Sequence, residues 1–181
     1  MTYTVGYIIG SLSKDSINRK LMDALVKLAP ESLTFVEIPI ADLPVYNRDV
    51  DADYPEVAVE YKKAIEATDA LVYATPEYNR SIPGSLKNAI DWASRPWGQS
   101  VLGRPSAIVG ASLGQIGTAV AQAHLRQMLG FFGAVTFVQP ELYVHWTDTL
   151  TQEDGSFTPD AAAFFQTWMD GFAAFVAKQA A

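Results

Sequence analysis

Five short runs of nearly unbroken apolar, β-favouring residues recur along the chain: 5–9 (VGYII), 33–38 (LTFVEI), 70–75 (ALVYAT), 106–111 (SAIVGA) and a weaker 135–138 (VTFV). A strand with one face in water alternates apolar and polar residues. These runs do not alternate, so both of their faces must be covered. Turn formers close them, among them Gly10-Ser11, Pro39, Pro76 and Pro140. Helical patterns fill the intervals. Residues 16–28 set Ile17, Leu21, Leu25 and Leu28 on one stripe. Residues 56–67 carry a weaker stripe, 83–93 open on Pro83, 118–131 end near Gly130 and Gly133, and 160–178 follow the start signal Thr158-Pro159-Asp160. Strand and helix alternating five times predict an α/β fold, with a parallel sheet and right-handed crossovers that place helices on both faces.

The 181 residues, 49% hydrophobic and 18% charged, are enough for one ordinary core and fit a single domain over residues 1–181. No linker, repeat or low-complexity tract divides them; the irregular stretches are 41–54 and 142–156. The chain has no cysteine, which excludes a disulfide scaffold, a thiolate metal site, an iron–sulfur cluster and a Cys nucleophile. A net charge of −7 argues against nucleic acid and anionic membrane as partners. The N-terminal segment lacks the charged and apolar regions of a signal peptide, and no apolar stretch approaches the roughly 20 residues of a membrane span. A soluble, cytoplasmic protein is expected. The two histidines, His124 and His145, are far apart and read as structural residues rather than a metal or hydrolytic site. Trp92 and Trp97 read as core or interface residues.

In an open α/β sheet, ligands bind beyond the carboxyl ends of the strands, where the strand order reverses. In a three-layer sandwich of order 2-1-3-4-5 that place lies between the first and third strands. Three loops should meet there. Loop 10–18 (GSLSKDSIN) offers small hydroxyl and amide side chains, Lys14 and a helix N-terminus, which together favour an anion. It matches neither the Walker pattern nor GxGxxG. Hydroxyl-rich and glycine-poor, it suits a terminal phosphate monoester; an ordinary helix cap at Asp15 or Ser16 explains it equally well. Loop 75–84 (TPEYNRSIPG) is stiffened by two prolines and can present backbone groups to the edge of a planar heterocycle, with Tyr78 as a wall, or it is a plain surface turn. Loop 110–117 (GASLGQIG) has glycines that permit close backbone approach to a ligand, or that simply serve a tight turn.

The segments GSLSKDSINRKL, TPEYNRSIPGSLKNAIDW and GASLGQIGTAVAQAHLRQ resemble the NADPH-dependent FMN reductase family, in its chromate- and quinone-reducing branch. The similarity runs from about residue 5 to 138, and the PEYN…PG…LKNAIDW block is its most specific part. The resemblance implies a flavodoxin-like fold with sheet order 2-1-3-4-5, non-covalently bound FMN, and a homodimer or homotetramer. It assigns Ser11, Ser16 and Asn18 to the FMN phosphate, with Ile17 supplying backbone and Ser13 and Lys14 beside them. Pro76, Glu77, Tyr78 and Asn79 would line the isoalloxazine ring, and Ser112 and Gly114 would approach it from the neighbouring loop. Arg126 resembles a position that helps join subunits; a plain surface arginine explains it equally well. Relatives often carry Arg where this chain has Ser13 and Gly where it has Asp15, so Lys14 would have to supply more of the positive charge.

The activity so implied is an NAD(P)H oxidoreductase. Hydride would pass from NADPH (or NADH) through FMN to a small-molecule acceptor such as a quinone, free flavin, an azo compound or chromate, in ping-pong order. No side chain is assigned as a catalytic acid or base. The competing expectation is a flavodoxin-type electron carrier without an enzymatic acceptor; a further one is a flavin-free binding module.

Overall fold

The computed structural model describes residues 1–152 and 156–180. The part of the expected irregular stretch 142–156 that spans 153–155 lies outside the described residues. The strands are β1 (Tyr3–Ile9), β2 (Leu33–Glu37), β3 (Ala70–Ala74), β4 (Ser106–Ser112) and β5 (Thr136–His145). The helices are α1 (Ile17–Lys27), α2 (Glu56–Glu66), α3 (Gly84–Ser94), α4 (Ala119–Phe131) and α5 (Pro159–Gln179). All strand pairs are parallel, as the alternation of strand and helix predicts, and their order is β2-β1-β3-β4-β5, as the resemblance implies.

The two-sided burial inferred from the sequence is visible in β3, where every residue is buried. Leu71 and Tyr73 face a core built with Tyr61 and Ile65 of α2, Leu86, Ile90 and Trp92 of α3, and Leu125 and Leu129 of α4. Ala70, Val72 and Ala74 face the opposite core, with Leu21 and Leu25 of α1 and Phe165, Trp168 and Phe172 of α5. On that side Trp168 and Phe172 stack with centroids 5.3 Å apart, and Phe137 of β5 meets Trp168 edge-on at 5.9 Å. Trp92 is a core residue: it is 1% exposed and its indole N–H donates to the Pro44 carbonyl at 2.6 Å. That bond, with Asn88 Nδ2 donating to Pro44 O at 2.9 Å, fastens the irregular stretch 41–54 to α3. No helix among the described residues is long and apolar enough to cross a membrane.

One strand differs from expectation. β5 does not stop before Pro140 but runs on to His145. The register jumps there, from Ala107 opposite Phe137 to Val109 opposite Leu142. β5 is an edge strand, so a bulge can absorb a residue that cannot donate to the ladder.

The carboxyl ends of β1, β3 and β4 come together at one edge of the sheet. Gly10 N donates to Ala74 O at 2.8 Å and Thr75 N to Val109 O at 2.9 Å, so the three chains leave the sheet side by side. Gly110 makes this convergence possible: a Cβ there would stand 2.1 Å from Thr118 Oγ1 and 2.4 Å from Thr75 O. Gly110→Ala is expected to cost about 1–3 kcal/mol or more, because the backbone of the next strand cannot yield as a side chain can. Urea unfolding measures it; a variant as stable as the parent would contradict the close packing.

Candidate functional site

Chain order reverses between β1 and β3, and the loops after β1, β3 and β4 enclose an open cleft of about 780 Å³ at that point. The volume is in the range of small-molecule and cofactor sites. Its lining includes Ser11, Ser13, Ser16, Ile17 and Asn18 from the first loop, Pro76, Glu77 and Tyr78 from the second, and Ser112 and Gly114 from the third. Of the twelve residues singled out from the sequence, Lys14 and Asn79 are not on this wall.

The first loop is built for an anion by neutral groups. Ser16 caps α1, with Oγ accepting from Arg19 N at 3.2 Å, which leaves its hydroxyl proton to donate elsewhere. The amides of Ile17 and Asn18, in the first turn, have no acceptor among the described residues. Free amides at a helix N-terminus attract phosphate. Ser11 Oγ accepts from Ser13 N at 3.4 Å and shapes the turn. The nearby guanidinium of Arg19 is committed to Glu37, with contacts of 2.8 and 2.7 Å, and that pairing holds the Glu37 carboxyl below its ordinary range. Asp15 also lines the cleft, so the one formal charge this loop brings to the wall is negative.

Asn18 has a different part from the one the resemblance gave its side chain. It is 1% exposed; Oδ1 accepts from Ala111 N at 2.8 Å and Nδ2 donates to Ala111 O at 3.0 Å. The carboxamide thus pairs with the end of β4 as a neighbouring strand would, and only the backbone of Asn18 remains for a ligand. Glu77 is likewise engaged. Its carboxylate, 8% exposed, accepts from the amides of Val120 and Ala121 through Oε2, both at 3.1 Å. It caps α4 at a point where Thr118 makes no side-chain cap. With the Glu77 carboxylate so engaged, the second loop brings Pro76, Tyr78 and Arg80 to the cleft beside it. Tyr78 and Ser81 exchange backbone bonds of 2.9 and 3.0 Å across a two-residue turn. Its central residues Asn79 and Arg80 both have positive φ, 51° and 63°. Asn79 tolerates that conformation and acts in the turn.

In the third loop, Ser112 Oγ accepts from Gly114 N at 3.1 Å and donates to the Gly117 carbonyl, so it shapes its own turn. Gly117 has φ +60°, and a Cβ there would meet the Tyr143 and Val144 backbone at 2.8 and 2.9 Å. Its lack of a side chain thus serves packing on β5, whereas a Cβ at Gly114 would meet only Ser112 Oγ, at 3.5 Å. Leu113 and Ile116 line the same wall with exposed apolar side chains. Sequence reasoning missed them and Arg80 as wall residues. An apolar pair in a glycine-flanked turn was the available signal for the first two. The histidines sit outside the cleft lining: His124 Nδ1 is 3.2 Å from Ser81 Oγ, and His145 pairs with Ser112 in the sheet.

The cleft thus gathers N–H and O–H donors, exposed apolar side chains and stiff turns in one place. Comparison with known proteins identifies the family. The model of the NADPH-dependent FMN reductase family matches residues 3–148. A 2-hydroxy-1,4-benzoquinone reductase from a Burkholderia species is 47% identical over 178 residues, covering 97% of both chains. A quinone reductase from Pseudomonas putida is 43% identical over 176 residues, covering 96% of this chain and 95% of that one. Among solved structures, FerB of Paracoccus denitrificans, a flavoenzyme NAD(P)H:(acceptor) oxidoreductase, superposes with a TM-score of 0.92 at 46% identity over 98% of each chain.

The engagement of Asn18 separates two kinds of first-loop variant. Asn18→Ala leaves a buried N–H and C=O of Ala111 unpaired and is expected to cost about 2–4 kcal/mol. Ser16→Ala removes a helix cap and is expected to cost about 1 kcal/mol. Chemical denaturation of both variants checks the order; equal losses would mean that the Asn18–Ala111 pair is not a structural tie.

Proposed function

Because the chain belongs to the NADPH-dependent FMN reductase family, we propose that it uses FMN in this cleft to carry two electrons from NADPH or NADH to quinones, hydroxylated benzoquinones foremost. The net reaction is NAD(P)H + H⁺ + quinone giving NAD(P)⁺ + hydroquinone. The observation that carries the reading is the first loop, where the Ser16 hydroxyl and the free Ile17 and Asn18 amides converge as donors. They match a terminal phosphate, and the wall of Pro76, Tyr78, Leu113 and Ile116 matches a flat ring system. FMN bound there would supply the hydride-accepting ring that no side chain of this protein offers. The protein's part is to hold the phosphate, set the ring against stiff turns and leave the cleft open to reactants. Asp15 and the engaged Glu77 are the carboxyl groups on the wall, and neither is placed as a proton relay, so water supplies the proton for the quinone.

One open cleft receives donor and acceptor in turn, which gives ping-pong kinetics. Free flavin, azo compounds and chromate are further acceptors in this reading. A cytoplasmic setting suits it, because reduced nicotinamide is kept there. A second copy of the chain is proposed to pack on the face of α3 and α4, where Trp97 is 76% and Phe131 72% exposed beside a groove of about 370 Å³. Exposed aromatic patches of this kind mark interfaces. A dimer or tetramer by light scattering that dissociates in Trp97→Ser is the expected outcome.

Two measurements test the activity. FMN-loaded protein should bleach anaerobically with NADPH or NADH and regain its colour with benzoquinone, giving parallel double-reciprocal plots; intersecting plots would contradict alternation, and an inert quinone would favour the electron-carrier reading. Ser16→Ala should weaken FMN about tenfold, as expected for a hydrogen bond to a charged group, and leave riboflavin affinity unchanged. Equal losses for both ligands would remove phosphate from this loop. Ser13→Arg should tighten FMN by adding a cation to the loop that carries Asp15.

A further inference from the structure

Arg80 is the one cationic side chain among the described residues that line the cleft. Its placement is unusual in two respects. First, its φ of +63° lies in the left-handed region, where glycine or asparagine is the easy choice and a long branched cation is not. The turn itself gains nothing from Arg at this position. Second, its charge is only loosely answered. Arg80 Nη1 lies 3.5 Å from Glu77 Oε1, with the arginine side chain 71% exposed, while Oε2 of the same carboxylate is taken by the two α4 amides. Glu77 thus anchors the base of the hairpin and leaves most of the guanidinium's donors in solvent at the cleft rim.

We propose that Arg80 binds the phosphates of the nicotinamide donor and so distinguishes donor from acceptor in a site that both must share. The inference rests on the reductase reading above. NADH carries a charge of about −2 and NADPH about −4 near neutral pH, since each of the two phosphates of the diphosphate bridge adds one charge and the 2′-phosphate nearly two. They approach a protein of net charge −7 whose cleft holds Asp15 and Glu77. Without a local cation, that approach is repelled. A guanidinium on the 78–81 hairpin answers it with forked, charge-assisted donors. A neutral quinone has no group for Arg80 to hold. Donor affinity therefore depends on this residue and acceptor affinity does not. The FMN phosphate is served by the α1 N-terminus, on another loop.

Arg80→Gly is the informative variant, because glycine takes the left-handed position without strain and the hairpin is kept. With FMN-loaded protein, calorimetry should show NADP⁺ binding weakened at least about tenfold in Arg80→Gly, with partial recovery in Arg80→Lys. Stopped-flow reduction by NADPH should slow at sub-saturating concentration. Reduction by 1-benzyl-1,4-dihydronicotinamide, a donor without phosphate, should stay within about twofold, as should the KM for benzoquinone and the affinity for FMN. Unchanged NADP⁺ binding, or an equal loss with both donors, overturns the assignment. A parent protein that neither donor reduces would instead overturn the reductase reading itself.

Discussion

Two side chains hold the three loops of the cleft in one arrangement. Asn18 reaches from the first turn of α1 to both backbone groups of Ala111, and Glu77 reaches from the second loop to the amides that open α4. Each satisfies polar groups that would otherwise be buried or orphaned at the sheet edge, where leaving them unpaired costs more than a typical hydrogen bond gains. Ser85 Oγ adds a third tie, donating to Gly10 O at 2.6 Å. The loops are thus fixed to one another as well as to their strands, and a cofactor meets a surface that needs little ordering on binding.

The electrostatics follow from where the cations are committed. Arg19 is paired with Glu37 and Arg126 with Glu141, and Arg104 donates to the Thr68 and Glu66 carbonyls. None of these charges is directed at the cleft. The first loop therefore has only the helix N-terminus and a serine hydroxyl to offer an anion, and Arg80 is left as the cation at the rim. A chain of net charge −7 can in this way bind anions locally while its surface as a whole repels them.

Most of the fold was legible because the signal was the absence of alternation. The all-buried run 70–74 could belong only to a sheet covered on both faces, and the proline and glycine punctuation placed the helix starts within a residue or two. β5 was cut short because Pro140 reads as a stop, while an edge strand with a bulge passes through it. At the site, the sequence located the three loops but not the direction of their side chains. Asn18, Glu77 and Ser112 sit at the expected positions with their polar atoms turned to the protein, since whether a polar side chain serves ligand or scaffold depends on unpaired backbone groups supplied by distant segments. Ala111 lies 93 residues from Asn18, and no local pattern carries that partnership. Arg80 was passed over for the converse reason: its meaning lies in a positive φ and in the commitment of neighbouring charges, neither of which a sequence displays.

Whether the cleft at the ends of β1, β3 and β4 is the flavin site is decided by a crystal structure of the protein grown with FMN. The phosphate is expected against the Ser16 hydroxyl and the Ile17 and Asn18 amides, with the ring system between the turn at Pro76–Tyr78 and the one at Leu113–Ile116. FMN seated elsewhere on the molecule, or bound here with its phosphate away from the α1 N-terminus, would contradict it.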